Sequence, residues 1–273
     1  MRIRILGTSA AEGIPALGCD CRICGTARER GGKEIRSRSG VLIDSSLKLD
    51  FGPDTLYHIH RDRLNPTEWR WLFFSHSHHD HLAEHELQYL MPGFAPDSMS
   101  KNLRLFGNAH IKAKVESVRN YLDLGFTVNL ISPEESAVAG EYTITPIRAR
   151  HTAGDGETCL NLIVEQDGAS FLYACDTGFY RDETMEFLAG RQIRAVAMDC
   201  TAALVHSDYD GHLSAKQLVA QRQNLLDCGA IAQDSRFVAT HFSHNGGALH
   251  DELEAALNPH GVEVAFDGMT FDV

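Results

Sequence analysis

Short apolar runs rich in Val, Ile, Leu and Phe recur along the chain, separated by stretches with apolar residues at three- and four-residue spacing. The runs predict strands over 2–7, 40–43, 47–51, 71–75, 103–106, 127–131, 142–147, 159–165, 170–174, 195–199, 237–240 and 263–266. The wider spacing predicts helices over 111–122, 214–226 and 248–257, with Ser214 as an N-cap, and weaker helical patterns over 53–63 and 83–90. Strands lead each half in hairpin pairs and helices follow. That order predicts an α/β fold of two packed sheets with helices outside, not one doubly wound sheet. Segments 31–33 and 92–102 read as mobile loops. No linker or low-complexity stretch interrupts the pattern, so residues 1–273 are expected to form a single domain.

A chain of 273 residues can bury a substantial core, and 43% apolar with 23% charged residues excludes disorder as the main state. Lys and Arg number 25 against 37 Asp and Glu, a net charge of −12. Such a chain is a poor holder of long nucleic acid on a broad basic face, though a small anionic substrate at a metal site stays open. The opening residues lack the apolar core of a secretory signal. No run approaches the roughly 18 uninterrupted apolar residues of a membrane span. The expectation is a cytoplasmic protein with no membrane partner. Of the seven cysteines, Cys19, Cys21 and Cys24 crowd together, which in a reducing compartment points to metal ligation and not to disulfides.

The strongest signal is Phe73-Phe74-Ser75-His76-Ser77-His78-His79-Asp80-His81. An apolar strand runs directly into a cluster of metal-ligand side chains. Residues i and i+2 at a strand end point the same way, so His76 and His78 can grip one ion. Asp80 and His81 follow on the turn and can face a second ion close by. Imidazole plus carboxylate suits zinc and, with more oxygen donors, manganese or iron. The bland alternative is a surface loop.

His76-Ser77-His78-His79-Asp80-His81 resembles the H-x-H-x-D-H signature of the metallo-β-lactamase superfamily. The resemblance runs along most of the chain, through Leu49-Asp50-Phe51-Gly52, His151, Tyr173-Ala174-Cys175-Asp176-Thr177-Gly178 and Ala239-Thr240-His241-Phe242-Ser243-His244. It implies an αββα sandwich. It also implies two divalent metal ions, zinc or manganese: His76, His78 and His151 on one, Asp80, His81 and His241 on the other, Asp176 shared. Two such ions about 3.5–4 Å apart clamp a hydroxide that attacks the substrate. Taken singly, each distant ligand could be a structural or solvated residue. Cys175, beside Asp176, is a ligand in some subclasses, but here reads as a small buried hydrophobe. Asp50 and Asp199 either orient ligand histidines or simply cap strand ends.

Three thiolates and one histidine make a closed tetrahedral zinc site, structural and not catalytic. Three free thiols are the alternative, and a redox pair is weaker, because Cys21-x-x-Cys24 is not expected to open a helix after a strand. Gly7-Thr8-Ser9-Ala10-Ala11-Glu12-Gly13-Ile14-Pro15-Ala16 followed by Cys-x-Cys-x-x-Cys is similar to two relatives. One is the phosphodiesterase accompanying the carbon–phosphorus lyase pathway, which opens cyclic ribose phosphates. The other is a protein of pyrroloquinoline quinone biosynthesis, whose histidine signature is usually degraded. The intact signature here, with Met198-Asp199-Cys200 and Phe266-Asp267-Gly268-Met269, favours the phosphodiesterase. That resemblance makes His244 the fourth zinc ligand, with Cys228 as rival. It makes His212 the general acid, with His206 as alternate. It also suggests a homodimer.

Asp80 and His212 are thus the expected catalytic residues of a dinuclear phosphodiesterase acting on a small anionic cyclic or diester phosphate. The stretches 92–102 and 154–157 depart from the family pattern and are candidates to shape the pocket. A lactonase is a further possibility within the superfamily. The acidic charge, with no basic insertion, argues against a transfer-RNA 3′ processing nuclease, and the cytoplasmic expectation argues against a β-lactamase. The full ligand set argues against a non-catalytic binding protein.

Overall fold

The computed structural model describes residues 1–118 and 128–273. In the first half lie β1 (Arg2–Gly7), β2 (Gly40–Ile43), β3 (Leu47–Leu49), β4 (Trp71–Phe73), β5 (Arg104–Gly107) and β6 (Val128–Leu130). In the second lie β7 (Ala137–Ala139), β8 (Tyr142–Arg148), β9 (Leu160–Gln166), β10 (Ala169–Ala174), β11 (Ile193–Asp199), β12 (Ile231–Thr240), β13 (Glu263–Val264) and β14 (Thr270–Asp272). They form two seven-stranded sheets, ordered β14-β1-β2-β3-β4-β5-β6 and β13-β12-β11-β10-β9-β8-β7.

Each sheet is antiparallel on one side and parallel on the other. β1, β2 and β3 pair antiparallel and β3 to β6 parallel. β7 to β10 pair antiparallel and β10 to β13 parallel. β14 crosses back and pairs antiparallel with β1.

The helices are α1 (Arg22–Arg30), α2 (Thr55–Asp62), α3 (Asp97–Asn102), α4 (Ala109–Val118), α5 (Asp182–Leu188), α6 (Ala215–Asp227) and α7 (His250–Leu257). Side-chain alternation builds the layers. Ile3, Ile5, Val41, Ile43 and Phe73 of the first sheet meet Leu162, Val164, Phe171, Tyr173 and Ala197 of the second in the central core. Leu42, Leu72 and Leu105 face outward onto Ile111, Val115 and Val118 of α4. Leu172, Val196, Met198 and Phe237 face outward onto Leu218 and Leu225 of α6, Leu253 and Leu257 of α7, and Ile23 and Ala27 of α1. The result is the αββα sandwich.

Ser214 caps α6 as expected. Its Oγ accepts from Gln217 N at 3.4 Å, and Gln217 Oε1 accepts from Ser214 N at 2.9 Å, a reciprocal box whose cap is worth about 1 kcal/mol.

Several expectations need correction. Helices do not all wait for the strands: α1 arrives before β2, while α2 bears out the weaker helical pattern over 53–63. Cys21 is the N-cap of α1, so Cys21-x-x-Cys24 does open a helix, though no strand directly precedes it. The short apolar stripe Ile23, Cys24 and Ala27 carries that helix, and Gly25 inside it obscured the period. Residues 92–102 include α3, and Met99 is buried in the outer core beside α4. Gly32–Glu34 and Glu84–Leu90 are 3-10 helices. The expected helix 111–122 and strand 127–131 extend partly outside the described residues. Among the described residues, no helix is long and apolar enough to cross a membrane.

Candidate metal centre

The donors all lie just past the carboxyl ends of strands. His76 to His81 follow β4, His151 follows β8, Asp176 follows β10 and His241 follows β12. Three turn residues there hold left-handed backbone: Asp50 at φ 59°, Asp176 at 51° and His241 at 62°. Non-glycine residues in that region cost of order 1–2 kcal/mol each, so the surrounding fold imposes them. Gly52 lets the Asp80 turn come close, since a Cβ there would lie 2.0 Å from Asp80 O. Phe51 N and Ala83 N then tie the two turns through His81 O and Phe51 O.

Two sets of donors result. His78 Nδ1 lies 3.0 Å from His76 Nε2 and 3.2 Å from His151 Nε2. In the other set, Asp176 Oδ2 lies 2.6 Å from His81 Nε2 and 3.2 Å from His241 Nε2. Asp80 Oδ2 completes it, 3.2 Å from His81 Nε2 and 3.7 Å from His241 Nε2. Asp176 joins the sets: Oδ2 is 3.8 Å from His76 Nε2, and Oδ1 is 3.9 Å from His151 Nε2.

The fit to cations rests on orphaned atoms. His81 Nε2, His241 Nε2 and Asp176 Oδ2 are buried and have no hydrogen-bond partner. Three converging buried nitrogen and oxygen atoms of this kind are a ligand set that a divalent ion satisfies.

Four ligand-type histidines have Nδ1 set against an acceptor, which leaves Nε2 for a metal. His81 Nδ1 donates to Asp50 Oδ2 at 2.7 Å, and His151 Nδ1 to Gly211 O at 3.2 Å. Ser75 Oγ donates to Asp50 at 2.9 Å and so accepts from His76 Nδ1 at 3.0 Å. Thr201 Oγ1 donates to Asp199 Oδ2 at 2.8 Å and accepts from His241 Nδ1 at 2.8 Å. Asp50 and Asp199 thus orient histidines, Asp199 through Thr201. Ser75 and Thr201 escaped sequence reading because lone hydroxyls carry no pattern.

Burial and the neighbouring His81 keep His76 neutral, as a ligand must be. Burial works against ionising Asp176, yet His241 and His81 outweigh it and hold the carboxyl well below the usual range. Cys175 packs in the central core with its thiol pushed up to about 12 by burial, although it lies near the His81, Asp176 and His241 donors.

His212 sits beside both sets. Its Nδ1 lies 2.9 Å from Asp199 Oδ2 and 3.6 Å from Asp176 Oδ1. Burial disfavours its charge, but Asp199 and Asp176 prevail and raise its pKa above the ordinary imidazole value. Tyr209 stands over the pair, its ring 5.3 Å from His212 and 6.3 Å from His151. Arg150 forks onto Asp210 in the same loop. His206 does not join: its side chain is 80% exposed and pairs with Asp208.

Glu157 of the divergent 154–157 stretch accepts from Ser77 Oγ at 2.5 Å and Asn108 Nδ2 at 2.8 Å, bracing the histidine turn. It also lines a cavity of about 220 Å³ beside His151, together with Arg148, Arg150 and Arg181. Among the described residues, that cavity takes no lining from 92–102.

A second cluster joins Cys19, Cys21, Cys24 and His244, whose donor atoms all lie within 4.8 Å of one another. His244 Nδ1 is 3.7 Å from Cys19 Sγ and 3.5 Å from Cys21 Sγ. The Cys24 backbone N–H lowers the Cys21 thiol to about 6, toward the thiolate that zinc takes. Cys228 ends α6, its Sγ on Leu225 O at 3.5 Å, and is not part of this cluster.

Solved structures share this architecture. Zinc-bound PqqB from Methylobacterium extorquens superposes with a TM-score of 0.79 at 20% identity, covering 100% of both chains. A diphosphatase from the PhnP family gives 0.76 at 21% identity, covering 100% of this chain and 97% of that one. Human tRNase Z, short form, gives 0.64 at 16%, covering 100% and 99%. No curated protein matches the chain by sequence. The family model of the β-lactamase superfamily domain spans residues 40–242, from β2 to just past His241. The chain therefore belongs to the β-lactamase superfamily, with the metallo-β-lactamase αββα fold.

Proposed function

We propose that the protein is a metal-dependent phosphodiesterase hydrolysing a small cyclic or diester phosphate. One observation carries the reading: Asp176 approaches both donor sets, and His212 stands beside them with Nδ1 held by Asp199. His76, His78 and His151 would hold one divalent ion, and Asp80, His81 and His241 a second. Ions bound there supply an activated water and neutralise phosphoryl oxygens.

The chain's own residues do the rest. Asp199 accepts from His212 Nδ1–H and leaves Nε2 free to give a proton to the departing alkoxide. Asp199 and Asp176 favour the protonated ring, raising its pKa above the ordinary imidazole value. The Tyr209–Asp210 loop, clamped by Arg150, closes one side over His151 and His212. The test is a panel on protein reconstituted with zinc or manganese. Bis(p-nitrophenyl) phosphate and cyclic nucleotides are expected to turn over, while lactones and nitrocefin do not. Turnover of a lactone alone overturns the reading.

A further inference from the structure

Lys48 lies in the outer core, where its neighbours are apolar. It is 1% exposed, on β3 between Leu42 and Leu72 of the flanking strands. Its ammonium lies 5.9 Å from the Phe51 ring and 5.8 Å from the Trp69 ring. Among the described residues no carboxylate pairs with it within 4 Å. Its hydrogen bond goes to a backbone oxygen, Asp50 O, at 2.6 Å. Burying an ammonium without an ion pair is expensive, and burial lowers its pKa to about 8. A methionine would fill the same slot without that penalty, so packing does not account for a lysine here.

What the ammonium holds is the carbonyl of a residue in left-handed backbone. The same residue's carboxylate accepts from His81 Nδ1 at 2.7 Å, Ser75 N at 2.8 Å and Tyr173 Oη at 3.2 Å. We infer that Lys48 is a positioning residue for the Asp80–His81–His241 donor set. It pins the Asp50 carbonyl from the helix side, fixing the carboxylate that aims His81 Nε2 at the ion. The inference rests on the two-metal reading above.

The experiment is cobalt(II) titration of metal-free protein, following the ligand-field absorption of each set. Lys48→Met, Asp50→Ala and the double variant are compared with the unaltered protein. Lys48→Met is expected to weaken one of the two catalytic ions by roughly tenfold, at the low end for losing a residue behind a ligand. The other ion, whose His76 reaches Asp50 only through Ser75 Oγ, should weaken less, and the metal-free protein should melt no lower. In the Asp50→Ala background, Lys48→Met should have no further effect, since both act along one route. Gly40→Ala provides a second probe that keeps the lysine: its Cβ would meet Lys48 Nζ at 3.3 Å and should weaken the same ion to a lesser degree. Equal affinity in Lys48→Met, or effects of Lys48→Met and Asp50→Ala that simply add, overturns the positioning role. Failure of the unaltered protein to take two cobalt ions at the histidine sets overturns the two-metal reading itself.

Discussion

His241 and His244 stand three residues apart after β12 and face different donor clusters. His241 Nε2 meets Asp176, and His244 Nδ1 meets Cys21. Between them Phe242 is fixed from both sides, its N–H on Thr8 O at 2.8 Å and its carbonyl accepting from Ala10 N at 3.0 Å. The N-terminal loop thereby grips the turn that presents His241. Cys21→Ser and His244→Ala should each lose about one zinc per chain and lower the melting temperature, since a structural zinc contributes folding free energy. Metal counting by mass spectrometry decides. If His244→Ala keeps the ion that Cys21→Ser loses, the fourth ligand lies elsewhere.

Asp176→Ala removes the carboxylate that both donor sets approach. Metal content at both sets should fall, and diester turnover should drop to background. Retention of both ions with near-normal turnover would refute the shared-ligand assignment.

His212→Ala should keep its metals and lose about 10²- to 10⁴-fold in kcat on an alkyl diester, the range for a general acid. On a p-nitrophenyl diester the loss should shrink, because that leaving group hardly needs a proton. Equal losses on both substrates would mean that His212 binds substrate and does not protonate it.

Gly178→Ala tests the loop that carries His212. A Cβ there would sit 1.8 Å from Asp210 O, so the Tyr209–Gly211 segment must move. The expected outcome is impaired kcat with normal metal content. Unchanged kcat would show that the loop's placement does not matter to the chemistry.

His58 provides a pH signature away from the metals. Burial, aided by Lys48 and Arg61, lowers its pKa to about 2, while its Nε2 pairs with Ser37 Oγ at 2.8 Å. The unfolded chain takes up this proton near pH 6.5 and the folded one does not. Stability from this residue is therefore full above pH 6.5 and is lost as pH falls toward 2, at up to about 1.4 kcal/mol per unit. Denaturant midpoints of the unaltered protein and His58→Gln should converge between pH 6.5 and 4.5. Parallel curves would show that His58 is not the group responsible.

Legibility in the sequence followed the range of each interaction. β1 was legible because Arg2-Ile3-Arg4-Ile5 alternates polar and apolar residues, and β2 because it is an apolar run buried throughout. The His76–His81 cluster was legible because its donors are adjacent in sequence. Asp176 and His241 became readable only through the family pattern, since a lone residue at a strand end carries no local signature. Thr201, Tyr209 and Lys114, which donates to Ser77 O, belong to the site through tertiary approach alone. β7 and β14, with three residues each, are too short to show alternation and exist because a neighbouring strand offers hydrogen bonds.

The return of β14 to the first sheet bears on how the chain is made. β1 pairs on one side with β2, about forty residues later, and on the other with Thr270–Asp272. During synthesis β1 keeps an unpaired edge until those residues emerge, long after its own sheet could otherwise assemble. Such an edge templates aggregation, and pairing at this separation is slow. Expression yield should therefore respond to growth temperature and to chaperone supply more strongly than the stability of the finished sandwich would suggest.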